Sequence, residues 1–208
     1  MDAADNILEV IGDTPLVRCH TLADHVDNDI YLKLEYLNPG QSVKDRPALQ
    51  IIEDAEEEGK LEPGGTIVEA TSGNTGMGLA LAAANKGYNC IFVMPDKMSD
   101  EKIKTLRAFG ARVVLCPTAV EPDDPRSYYS VAEDLAEDTP GGYLANQYHN
   151  QSNPRAHYNT TGPEIWEQFD GDIDTFVSTM GTGGTISGTA QYLKEKDSDI
   201  KVVGADPV

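Results

Sequence analysis

A regular alternation narrows the fold of this chain more than any single residue. Short apolar runs rich in β-branched residues recur at 30–36 (IYLKLEY), 66–70 (TIVEA), 89–94 (NCIFVM), 112–116 (RVVLC), 142–145, 173–179 (IDTFVST) and 201–205 (KVVGA). Helical patterns fall between them. In 45–58, Ala48, Ile51, Ile52 and Ala55 follow the i, i+3, i+4, i+7 spacing, and Gly59 stands where a helix stops. The stretch 75–86 ends before Gly87; 99–109 opens at Ser99, carries Asp100 and Glu101 in its first turn and ends before Gly110. Segments 127–138, 154–169 and 185–196 complete the series, with Pro154 placed for a first helical position. Strand–helix–strand repetition of this kind predicts an α/β protein whose mainly parallel sheet is covered by helices on both faces. Glycine-rich links between strand and helix then lie at the carboxyl edge of the sheet, where such folds bind ligands. The Pro- and Asp-rich stretch 117–126 is expected to be a long surface loop.

Charge excludes several kinds of partner. The 208 residues carry 35 carboxylates against 16 Lys plus Arg, a formal charge of −19, which argues against nucleic acid or an anionic membrane as partner. Phosphate ligands remain open, since backbone amides hold them. No run approaches ~18 apolar residues, and the start MDAADNILEV has neither basic flank nor apolar core, so a soluble cytoplasmic protein is expected. Three scattered cysteines, Cys19, Cys90 and Cys116, make neither a disulfide framework nor a metal knuckle, and Cys90 reads as core. The acidity is spread along the chain and peaks at Glu53–Glu58; each cluster reads as a solvated face, and the total suggests a protein kept soluble at high ionic strength.

Four glycine-rich or polar links carry the chemistry. In 38–46 (NPGQSVKDR), Lys44 opens a helix, where the dipole disfavours a cation. Such a lysine is either solvated or a neutral amine of the kind needed for nucleophilic chemistry. In 71–76 (TSGNTG), Thr71, Ser72, Asn74 and Thr75 form either an anion site suited to a carboxylate or an ordinary N-cap. In 181–185 (GTGGT), Gly181, Thr182, Gly183, Gly184 and Thr185 form either a phosphate loop or a glycine turn. Position 186 is isoleucine, which excludes a dinucleotide fingerprint, and no Gly-Lys-Ser/Thr follows, which excludes a triphosphate loop; a monophosphate is left. In 146–154 (NQYHNQSNP), Gln147 is placed to donate to a carboxylate, while His149 and His157 lack metal partners and are expected at the surface or at a helix start.

Taken together, these motifs resemble the fold-type II pyridoxal-phosphate enzymes of the cysteine synthase and cystathionine β-synthase family. The resemblance runs from IGDTPL at 11–16 through NPGQSVKDR, TSGNTG, NQYHNQSNP, HYNTTGPEIW and GTGGT. It implies a two-domain fold of three-layer αβα sheets, like the tryptophan synthase β chain, with a large domain from 1–42 plus 150–208 and a small domain from 43–149. It implies pyridoxal 5'-phosphate as cofactor, bound covalently by Lys44, with Asn74 at its ring hydroxyl and 181–185 at its phosphate. Thr71, Ser72, Thr75 and Gln147 would bind the substrate carboxylate, with Ser72 also counted among the catalytic residues. Within the family, MPDKMSDEK and DDPRSYYSVAEDLA look more like cystathionine β-synthases.

The implied reaction replaces the β-substituent of serine or O-acetylserine by homocysteine or sulfide, in a homodimer, with the freed Lys44 amine as general base. Two alternatives stand beside it: a dehydratase that finishes with water, and a chain that binds cofactor without turnover. Family members continue past Val208, so a C-terminally incomplete chain, with a hydrophobic face or strand edge exposed at its end, is expected.

Overall fold

The structure is a computed structural model and describes residues 3–21, 24–71, 73–121 and 123–206. Among them, α1 (Asp45–Glu57), β3 (Thr66–Ala70), α2 (Asn74–Lys86), β4 (Asn89–Pro95), α3 (Asp100–Ala108), β5 (Arg112–Cys116), α4 (Tyr128–Asp138) and β6 (Gly142–Leu144) build the centre. The strands form one parallel sheet in the order β5-β4-β3-β6, with Ile67 opposite Cys90 and Phe92 opposite Val113. Side-chain alternation sorts two cores. Ile67, Cys90, Phe92 and Met94 point to the face covered by α1, α2 and α3, where they meet Ile51, Ile52, Leu79 and Leu106. Val68, Ile91 and Val93 point to the other face and pack under α4 against Ala132, Val131 and Leu135. This is the expected sheet buried on both faces.

Outside this sheet, β1 (Leu16–Arg18) and β2 (Tyr31–Lys33) form an antiparallel pair, and β7 (Thr175–Thr179) and β8 (Lys201–Ala205) a parallel pair. Helices α5 (Ser152–Ala156), α6 (Gly162–Gln168) and α7 (Gly184–Lys196) accompany the second pair, with Ile165, Leu193 and Ile200 as their core. No helix among the described residues is long and apolar enough to cross a membrane.

Two expectations are corrected. The run 30–36 is a strand only over 31–33, after which Glu35–Leu37 turns as a 3-10 helix; short β1 and the 3-10 turn Ile7–Val10 are additions. The helix expected over 154–169 is broken by a π-helical segment, His157–Thr161. There the Thr160 hydroxyl donates to the Ala156 carbonyl at 2.7 Å, competing with the backbone ladder, and Pro163 has no N–H to offer. The loop before α4 is closed by Ser127, whose hydroxyl accepts from the Ser130 N–H at 3.1 Å.

Candidate active site

The start of α1 and the links that follow the parallel strands converge on a cavity of about 280 Å³, close to the low end of the ~300–1,000 Å³ usual for small-molecule sites. Lys44 enters from α1. The turn before it is fixed by the Asp45 carboxylate, which accepts from the Gly40 N–H at 2.5 Å, and by Ser42 Oγ, which accepts from the Lys44 N–H at 3.1 Å. Gly78 of α2 then lets the two helices touch: a Cβ there would stand 2.9 Å from the Lys44 carbonyl oxygen. This contact seats Lys44 beside the start of α2. Burial pushes its ammonium pKa below the ordinary value.

The link after β3 brings Thr71, Gly73, Asn74 and Thr75 to the cavity; Ser72 lies outside the described residues. Thr71 Oγ1 accepts from the N–H groups of Gly73 and Gly76, both at 3.3 Å. Gly73 has φ +156°, which few side chains tolerate, and this sharp corner starts α2 at Asn74. The Thr75 hydroxyl donates to Gln147 Oε1 at 2.5 Å, so two residues assigned from sequence to one carboxylate meet across 72 positions.

Gln147 is itself held from behind. Asn153 donates through Nδ2 to the Gln147 carbonyl and to Thr182 Oγ1, both at 2.9 Å, and so ties the Gln147 link to the glycine loop. The Gln147 N–H donates to Glu69 Oε1 at 3.4 Å. Glu69 is buried in the middle of β3, and its Oε2 has no partner among the described residues. Burial pushes its carboxyl up to about 7, against the N–H groups of Gln147 and Asn146.

Of the glycine loop, Gly181 and Thr182 line the cavity, while Gly183, Gly184 and Thr185 run behind it into α7. Gly183 caps α7 in the left-handed conformation, φ +81°. A Cβ on Gly184 would fall on the Asn153 carboxamide. Thr185 Oγ1 stands 3.1 Å from His157 Nε2, and His157 Nδ1 stands 2.8 Å from Thr161 Oγ1. His157 is therefore a buried brace rather than a surface residue; burial, then Arg46, holds its ring pKa down at about 3. His149 is exposed, as expected.

Sequence reasoning missed Lys102, Tyr128 and Tyr148, which complete the cavity wall, and Glu69 and His157 behind it. Lys102 was legible in part, being a cation at the start of a helix, as Lys44 is. Tyr128 carries no local mark.

A crevice at the carboxyl ends of parallel strands, with a half-buried amine sharing its walls with a glycine loop at a helix start, defines an α/β enzyme built around a phosphorylated cofactor. The model of the pyridoxal-phosphate dependent enzyme family matches residues 7–208, and the chain belongs to that family. It is similar to cystathionine beta-synthase of Apis mellifera, 50% identical over 97% of this chain and 40% of that one, and to that of Oryctolagus cuniculus, 52% identical over 97% and 37%. It is also similar to a cysteine synthase of Staphylococcus aureus, 47% identical over 98% of this chain and 64% of that one. A solved hydrogen sulfide-producing enzyme from Fusobacterium nucleatum matches with a TM-score of 0.91 at 42% identity, covering 100% of this chain and 67% of that one. The chain thus spans about two fifths of the length of the cystathionine beta-synthases it matches.

The residues present fit pyridoxal 5'-phosphate. Lys44 is an amine that burial drives toward its neutral form. At Gly181 the space a Cβ would occupy is open, and at Gly183 only Ser187 Oγ comes within 4 Å, so backbone amides at the start of α7 are accessible to a phosphate.

Proposed function

We propose that this chain carries the catalytic site of a pyridoxal-phosphate-dependent enzyme of β-replacement. It exchanges the β-hydroxyl of L-serine, or the acetoxy group of O-acetyl-L-serine, for homocysteine or sulfide, giving cystathionine or cysteine. A Cβ–O bond breaks, a Cβ–S bond forms, and water or acetate leaves. The observation that carries this reading is the meeting of the half-buried Lys44 amine with Asn74, the Thr75–Gln147 pair and the glycine loop in one cavity.

The roles follow from chemistry. Lys44 would hold the cofactor, and its Nζ as a free amine would take the α-proton of the substrate. When bound, the cofactor's conjugated ring accepts the electron pair left at Cα. Thr71, Ser72 and Thr75 orient the substrate carboxylate from the start of α2, with Gln147 closing from the opposite side. Asn74 binds the cofactor's ring hydroxyl, and Gly181, Thr182, Gly183, Gly184 and Thr185 its phosphate. The two-domain division, 1–42 plus 150–208 against 43–149, is supported by the four-stranded sheet lying wholly within the middle segment. A cytoplasmic homodimer is supported by three free cysteines and by exposed apolar residues such as Tyr36, Leu37 and Val177. The even spread of acid supports work at high ionic strength.

The test is a substrate matrix on the cofactor-loaded protein: L-serine or O-acetyl-L-serine, each with homocysteine or sulfide. Cystathionine or cysteine as product is expected. Pyruvate alone would give the dehydratase instead, and no consumption would leave a binding protein.

A further inference from the structure

We propose that Lys102 is the recognition group of an acceptor subsite at the mouth of the cavity, one that binds the carboxylate of a thiol-bearing amino acid such as L-homocysteine. This rests on the β-replacement reading above. Charge is the first observation. The chain carries −19, yet the described residues lining the cavity include two lysines, Lys44 and Lys102, and no carboxylate. Lys44 belongs to the reacting centre. Lys102 is the cation left to offset the repulsion that this protein exerts on an anionic amino acid.

Position is the second. Lys102 sits in the first turn of α3, where the dipole favours its neighbours Asp100 and Glu101 and disfavours a cation. Helix stability does not account for it, and among the described residues no carboxylate pairs with it. Its side chain lies instead over the corner that starts α2: Cδ and Nζ are each 3.5 Å from where a Cβ on Gly73 would stand. The amine is thus beside the link proposed to hold the first substrate, on the solvent side of it. A thiol with its own carboxylate that enters on this side toward the β-carbon meets this amine.

The opposite wall is the third. Tyr128 and Tyr148 line the same cavity, and Tyr129 joins them, its ring centroid 4.1 Å from that of Tyr128 and 6.4 Å from that of Tyr148. Tyr148 is 52% exposed. Aromatic faces of this kind suit the methylenes of a thioether. Sulfide has neither carboxylate nor methylene, so this subsite distinguishes an amino-acid thiol from sulfide rather than activating either.

The experiment compares ligands with one and two carboxylates. Dissociation constants of L-serine and L-cystathionine are measured by calorimetry on the cofactor-loaded protein and on Lys102→Gln, Lys102→Glu and Lys102→Arg. The ratio of kcat/KM for homocysteine to that for sulfide is measured alongside. Lys102→Gln is expected to weaken cystathionine relative to serine by about five- to tenfold, and to lower the kcat/KM ratio by the same factor. Lys102→Glu goes further, and Lys102→Arg stays near the parent. Equal weakening of both ligands, ratios unmoved by Lys102→Glu, or no cystathionine binding by the parent would overturn the subsite. If the parent turns over neither thiol while cystathionine binding still depends on Lys102, the β-replacement reading falls and the carboxylate subsite stands. If both thiols react and Lys102→Glu changes no ratio, the reaction stands and the subsite falls.

Discussion

Lys44 is half-buried and the carboxyl of Glu69 is buried, and loss of solvent drives each toward its neutral form, one pKa down and the other up. Lys44 was legible because it breaks a local rule inside a recognisable motif. Glu69 was not, because its burial comes from β3 lying between β4 and β6, and no window of sequence records that. For Lys44, borohydride reduction of the loaded protein should leave the pyridoxyl group on the peptide containing SVKDR. Lys44→Ala should abolish this attachment and cut turnover by at least about 10³-fold, since anchor and base go together. A label on Lys33, Lys86 or Lys102 would refute the assignment. For Glu69, the folded value of about 7 lies above the ordinary 4.5. Its ionisation therefore costs nothing below the lower value and destabilises the fold progressively as pH rises toward the upper one. Glu69→Gln should remove this component, so that denaturant midpoints fall less between those two values than in the parent. Parallel pH profiles would show that Glu69 ionises as freely in the folded as in the unfolded chain.

At the scale of elements, Arg46 fastens α1 to the rest. Its guanidinium donates to both oxygens of Glu35, at 2.8 Å each, and to those of Glu164 on α6, at 2.5 and 2.7 Å; Lys33 adds a bond to Glu164 at 2.7 Å. Removing one member of such a buried set leaves charges unpaired, so Arg46→Ala should cost about 3–5 kcal/mol in denaturant unfolding. A loss below about 1 kcal/mol would mean that water replaces the guanidinium freely. The same clamp gives an acid limit. Burial raises the Glu164 carboxyl, but the bonds from Arg46 and Lys33 outweigh it and hold it at about 2. The stability this contributes is complete above the ordinary value of 4.5 and lost as pH falls from there toward 2. The elements of the central sheet were readable because doubly buried strands are continuous apolar runs between turn signals, and 66–70 and 112–116 match β3 and β5 end to end. The break at 157–161 was readable only in part. Thr160 and Pro163 are local signals, but the contact of His157 with Thr185 of α7 is a tertiary one that no helical pattern records.

Over the whole molecule, the charge of −19 overrides the helix dipole at some helix ends, although α2, α3 and α7 keep basic residues in their last turns. Helix α1 ends in Asp54, Glu56 and Glu57, and α4 in Glu137 and Asp138, with no basic residue in either last turn, although the dipole favours cations there. Local ion pairs offset only part of this, as where Lys86 bonds Glu56 at 2.8 Å and Arg155 pairs with Asp54. The remainder is self-repulsion between exposed carboxylates, which salt screens over ~10 Å at 0.1 M and ~3 Å at 1 M. The melting temperature should therefore rise as potassium chloride is raised from millimolar to molar. Salt also strengthens apolar burial, so a charge variant is needed to separate the two effects. Asp134, Glu137 and Asp138 are exposed on α4 and away from the cavity wall. Replacing them together by Asn, Gln and Asn should raise the melting temperature at low salt and flatten its rise with salt. A melting temperature that is flat or falling across the range would remove the case for a saline working environment. A rise equally steep in the variant would assign it to apolar burial instead.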